Sequence, residues 1–140
     1  EPLKVTLLNV RLTSLTIMPP SASAVVDIKF INPFDFPIKI IAKSGSSSIT
    51  FKVYDAHSGA YIGSGSYSSG IYLPPGSEVP VRGIKVNIPS RGATYLYFRR
   101  RSGNKISFWA VAKGEGTALL YEYSVMFKFK TDSVHVVYTL

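Results

Sequence analysis

The chain has no cysteine and no glutamine, and only four asparagines in 140 residues. Without cysteine there is no disulfide scaffold, no thiolate metal site and no cysteine nucleophile. Scarcity of thermolabile side chains fits a hot habitat, but the Lys/Glu enrichment of hyperthermophile proteins is also missing, so the two signs cancel. Charge is sparse: 17% of residues are charged, and the 26 serines and threonines outnumber the 24 charged residues. A surface rich in hydroxyls and poor in charge favours a place outside the cytoplasm. No apolar run approaches the roughly 20 residues that a spanning helix needs, and no secretory apolar segment is present. Because the sequence opens on Glu1-Pro2, an N-terminal signal or anchor is expected to be missing from it, with an extracytoplasmic or membrane-anchored location.

What is present points to strands. At 46% hydrophobic, the chain can bury one core, and its length suits a single domain over 1–140. Valine, isoleucine, threonine, tyrosine and phenylalanine abound, and these fit a pleated, half-buried surface. Period-two alternation marks strands near 3–17, 24–31, 37–43, 49–55, 60–66, 78–88, 105–113, 117–130 and 134–140. A phase slip near Leu8 and another at Gly83 predict bulges. Pro19-Pro20 is expected to stop the first strand, and 44–48 to form a small-residue turn. Ile71-Tyr72-Leu73 is an apolar island in a loop. One helix is expected near 91–102, capped by Ser90, ended by Gly103 and carrying Arg99, Arg100 and Arg101 in its last turn, where cations suit the dipole. Ala93, Leu96, Tyr97 and Arg100 share one face of it. Short strands with turns between them predict an antiparallel β-sandwich of the immunoglobulin or fibronectin III type.

The segment Val25–Ile40, VVDIKFINPFDFPIKI, is the most specific stretch. Pro33 fixes its own φ and keeps Asn32 out of the helical region, so strand, turn and strand follow in order. Together with the opening strand Leu3–Leu15, the segment Gly63–Val81 (GSGSYSSGIYLPPGSEVPV) and the strand over 117–130, it resembles the late-embryogenesis-abundant type 2 family, the water-stress and hypersensitive-response domain. Asn32, Pro33 and Pro37 stand as in the family's signature turn. The resemblance implies an immunoglobulin-like sandwich with one helix, no enzymatic activity, a role in stress protection and, in many members, an N-terminal membrane anchor. The run RRRSGNK and the pair Phe108-Trp109 depart from the family pattern.

Sites for chemistry are few. The two histidines, His57 and His135, have no third ligand at motif spacing. The eight acidic residues are dispersed, with nothing to pair Asp27 with Asp35 or Glu115 with Glu122. Neither a nucleophile elbow nor a phosphate loop occurs. No enzyme, metal or cofactor is expected. Net charge is +8, which draws a protein to anionic surfaces of any kind. Its sharpest focus is Arg99, Arg100, Arg101 and Lys105, flanked by Tyr95, Tyr97, Phe98 and Trp109. These could meet an anionic lipid or a nucleic acid, but with no RNA-module motif a specific nucleic-acid partner is not expected. Tyr121, Tyr123, Phe127 and Phe129 alternate as core residues. A second reading makes the chain a subunit of an extracellular filament or surface assembly. In it, segment 1–18 separates and adds to a neighbour's sheet through Leu3, Val5, Leu7, Val10 and Leu12. A free segment would support that reading; a first strand buried in its own sheet would overturn it.

Overall fold

The computed structural model describes residues 3–43 and 45–140. Glu1, Pro2 and Ser44, the last of which belongs to the expected 44–48 turn, lie outside the described residues. The strands are β1 (Lys4–Ile17), β2 (Pro20–Ile31), β3 (Ile38–Ile41), β4 (Ile49–Asp55), β5 (Tyr61–Tyr67), β6 (Ile71–Leu73) and β7 (Glu78–Ile88). After helix α1 (Ser90–Phe98) come β8 (Arg100–Arg101), a 3-10 turn at Ser102–Asn104, β9 (Lys105–Leu120), β10 (Tyr123–Lys130) and β11 (Val134–Thr139). Among the described residues the protein is mainly β, antiparallel throughout, with one short α-helix. Among the described residues all eleven strands belong to one sheet, eight of them in the order β1-β2-β7-β5-β4-β9-β3-β6, with β8, β10 and β11 joined to β9 off that path.

Strand β9 is the hub. One edge takes β8, β4 and β3, and the other takes β11 and β10. The ladder curls until β1 lies beside β11, with no hydrogen-bonded pairing between them among the described residues. Inside the curl, one continuous apolar cluster runs from Leu3, Val10 and Leu12 through Phe30, Ile40, Phe51 and Ile84 to Leu96, Phe108, Phe129 and Val136.

Both expected phase slips are bulges. The β1–β2 register shifts between Leu7 and Asn9, and again between Leu12 and Ser14. Opposite Asp27, β7 carries the extra pair Arg82-Gly83. Gly83 takes φ +75° there, and the Asp27 carboxylate accepts its N–H at 2.8 Å. Only glycine sits in that left-handed region without cost.

Several boundaries differ from the sequence reading. The first strand stops before Pro19-Pro20 as expected, but the chain turns back at once, so the second strand begins at Pro20, paired with Ile17, rather than at Ala24. The island at 71–73 is a strand, held against β3. The break expected between 113 and 117 is absent: β9 runs on through Gly114 and Gly116, which sit where strands pack tightly, and the expected strand 117–130 is instead divided between β9 and β10 by a reversal at 121–122. A Cβ on Gly114 would lie 2.4 Å from the Thr50 carbonyl and 2.5 Å from the Phe129 ring. The helix begins at Ser90 itself, which makes no side-chain cap, and stops at Phe98 rather than near Gly103. Arg99–Arg101 are therefore not in its last turn. Of the expected helix face, Ala93 and Leu96 are buried while Arg100 is exposed. Tyr121 and Tyr123 are not core residues; each is 73% exposed at the β9–β10 turn, whereas Phe127 and Phe129 are buried.

The first strand is not separable in the sense expected. β1 pairs with β2 along its full length, and Leu3, Val5, Leu7, Val10 and Leu12 are all buried in the protein's own core. A donated strand would have to abandon that burial, at roughly 1.5–3 kcal/mol for each fully buried large side chain.

Candidate binding surfaces

The signature turn is built around one side chain. Asn32 is buried, and its Nδ2 donates to the carbonyls of Phe36 (2.9 Å), Leu73 (3.2 Å) and Pro74 (3.2 Å). Its Oδ1 accepts the Phe34 N–H at 3.0 Å. Two loops whose backbone groups would otherwise lack partners are tied together at this point. Pro33 and Pro37 set the path of the chain around it. The role of Asn32 is structural: every group on the side chain is used.

A second closed cluster gathers where the β4–β5 turn meets α1. Asp55 is fully buried; its carboxylate accepts the Tyr95 hydroxyl at 2.6 Å and the His57 N–H at 2.9 Å. The Tyr95 oxygen also lies 2.6 Å from Ser58 Oγ. Burial pushes the Asp55 carboxyl up. The Tyr95 hydroxyl, the backbone N–H groups of His57 and Ser58, and the nearby Arg99 charge outweigh that and hold it below the ordinary carboxylate range. Burial, and next the hydrogen bond to Asp55, raise the Tyr95 hydroxyl.

This cluster takes apart the arginine patch read from sequence. Arg99 turns inward, with Nε 3.8 Å from the Asp55 carboxylate. Arg100 lies over the Tyr97 ring, 4.3 Å from its centroid, and donates to the Tyr97 hydroxyl at 2.7 Å. Arg101 pairs across the ladder with Lys105 and donates to the Arg99 carbonyl at 3.2 Å. Neighbours along a strand point to opposite faces, so the run does not present three cations together. Of the four aromatics expected beside it, Tyr97 and the exposed Phe98 are there, with ring centroids 5.8 Å apart, whereas Tyr95 belongs to Asp55 and Trp109 stacks on His135 with ring centroids 4.9 Å apart.

Sequence reading missed a different basic surface. A trough of about 1320 Å³ crosses the outer face of the sheet. Five lysines line it, Lys52, Lys85, Lys113, Lys128 and Lys130, with Glu115 as the one carboxylate. Register places Lys130 beside Lys113, Lys113 beside Lys52, Lys52 beside Ser64, Ser64 beside Asn87 and Asn87 beside Ser23. These six side chains form one row over β10, β9, β4, β5, β7 and β2. Buried Phe51 and Phe129 lie beneath the floor, their rings filling the space that side chains on Gly65 and Gly114 would take. Each lysine shows in sequence only as the polar member of an alternating pair. Nothing in the linear order brings the five together.

A smaller apolar hollow of about 280 Å³ lies by β10, between Leu3, Ile38, Leu120, Val125, Met126 and Phe127. Among the described residues no three His, Cys, Asp or Glu side chains gather as a metal site, and no helix is long and apolar enough to cross a membrane.

No family model and no curated protein sequence matches the chain. Solved structures do match in fold. A protein from Arabidopsis thaliana, 15% identical, aligns over 98% of this chain and 81% of its own, with a TM-score of 0.54. A candidate late embryogenesis abundant (LEA) protein, 12% identical, aligns over 98% of this chain and 71% of its own, with a TM-score of 0.56. A protein from Archaeoglobus fulgidus, 14% identical, spans 96% of this chain at a TM-score of 0.49. At these identities the likeness concerns the fold.

Proposed function

We propose that this chain is a non-enzymatic stress-protection or binding module of the late-embryogenesis-abundant type 2 kind. The observation that carries the reading is the likeness, over 98% of the chain, to a structure described as a candidate LEA protein. The Asn32 corner supports it, because the residues of the family's signature turn have a physical reason to be what they are. The two groups with shifted pKa, Asp55 and Tyr95, are hydrogen-bonded to each other. Shifted groups at a catalytic site stand open to a substrate cleft; here the carboxylate is spent on its neighbours. On this reading the protein works through its surface, where exposed hydroxyls donate and accept hydrogen bonds in place of water.

The test is to dry and rehydrate a labile enzyme, such as lactate dehydrogenase, with this protein or with an equal mass of serum albumin. Greater recovered activity than with albumin is the expected result. Equal recovery would remove the protective reading.

A further inference from the structure

The lysine row is costly to the fold. Like charges directly opposite one another on neighbouring strands are destabilising, and here three stand in consecutive register: Lys130, Lys113 and Lys52. Among the described residues none of the five trough lysines is ion-paired; the pairs formed are Lys29–Glu78, Arg82–Asp27 and Arg99–Asp55. Glu115 stands opposite Lys128 in register without closing a bridge. Lys113 is held in place by the Tyr54 ring, its ammonium 5.3 Å from the centroid. Other cations, such as Lys4, Arg11 and Lys43, are also unpaired among the described residues, but they stand singly on the surface. Here the protein lines cations up, unpaired, in a concavity.

We propose that this trough is a binding site for an acidic polysaccharide strand lying across the sheet along the row. Six strands at about 4.8 Å spacing give a row of about 24 Å, so the occupant is extended. Its charge is negative and repeated, to match three adjacent ammonium groups. Its other half faces Ser64, Asn87 and Ser23, short hydroxyl and amide groups matched to sugar hydroxyls. Two features set the glycan apart from other polyanions. Among the described residues no fully exposed aromatic ring lines the row for bases to stack on: Phe51 and Phe129 are buried, and the half-buried Tyr54 carries Lys113. The surface is concave, so a flat bilayer would meet its rim and not its floor. This inference goes beyond the protective reading and does not depend on it.

The experiment is isothermal titration of the whole chain with a heparin oligosaccharide and with polygalacturonate, against neutral dextran as control. Two triple variants remove the same charge from different places: Lys52→Gln/Lys113→Gln/Lys130→Gln, and Arg100→Gln/Arg101→Gln/Lys105→Gln. Wild type binds an acidic glycan and not dextran. The lysine variant loses at least about tenfold in affinity, and its log K against log salt slope falls by about one for each lysine removed. The arginine variant loses less than roughly threefold, the share of a general field. Equal losses in both variants, no binding by wild type, or equally tight wild-type binding to a mixed-sequence oligonucleotide or phosphatidylserine vesicles would each overturn the assignment. Amide shifts in wild type with heparin bound read the same point without a mutation. They are expected at 50–52, 64–66, 113–115 and 128–130, and shifts confined to 99–105 would overturn it.

Discussion

Two concentrations of positive charge are built in opposite ways. Around α1 one cation is neutralised, Arg99 by the buried Asp55, while Arg100 and Arg101 stay exposed and are steered apart by the Tyr97 ring and a backbone carbonyl. Across β10, β9 and β4 the cations are left open and set side by side. The run that stands out in the sequence is the quieter of the two in the structure. Density of charge along a chain measures little, because a partner in space can cancel it. A charge that nothing cancels is the one free to meet something else.

Removing Asp55 breaks the closed side of this comparison most severely. Asp55→Ala leaves the Tyr95 hydroxyl and Arg99 without their acceptor in a buried setting, and is expected to cost about 3 kcal/mol of stability in urea denaturation. Asn32→Ala strips one N–H and three carbonyls of their partner, and is expected to cost about 2–3 kcal/mol by the same measurement. Its effect on glycan affinity should be nil as long as the fold persists.

Acid sharpens the comparison. The Asp55 carboxyl titrates below its ordinary range when folded, so its contribution is present above the unfolded value of about 3.9. It is lost as pH falls through that value and the lower folded one. Tyr95 is raised, so its contribution is intact below about 10 and is lost as pH rises through the folded value. Wild type should therefore lose stability steeply below about pH 4, and Asp55→Asn should flatten that limb in a pH series of thermal melts. The smallest effect lies on the open side. Lys52→Gln/Lys113→Gln/Lys130→Gln relieves repulsion and should stabilise the fold by about 0.5 kcal/mol at low salt. The gain should fade as added salt screens the charges.

Much of the fold could be read because strands alternate. β4 and β7 fall at 49–55 and 78–88 as periodicity places them, and the slips near Leu8 and at Gly83 are bulges. Reading failed where a residue obeys a distant partner rather than its neighbours. Three arginines and Gly103 look like a helix end, but Asp55 draws Arg99 aside and β9 pairs with Arg100 and Arg101. Gly114 and Gly116 look like a break, but they mark where β4 and the rings of β10 press against β9. Tyr121 and Tyr123 continue the alternation of Phe127 and Phe129, yet the chain reverses between them, with Tyr121 at φ +56°. The lysine row depends on the register of six strands, and no local pattern encodes that.

Gly65 and Gly114 have a consequence for how the two faces of the sheet speak to each other. A Cβ on Gly65 would sit 2.6 Å from the Phe51 ring, and one on Gly114 would sit 2.5 Å from that of Phe129. Between the trough and the core there is thus a partition one backbone thick. Whatever presses on one side is felt on the other. Phe51 and Phe129 should register an occupant that never touches them, and trimming either ring should reshape a surface that neither ring reaches.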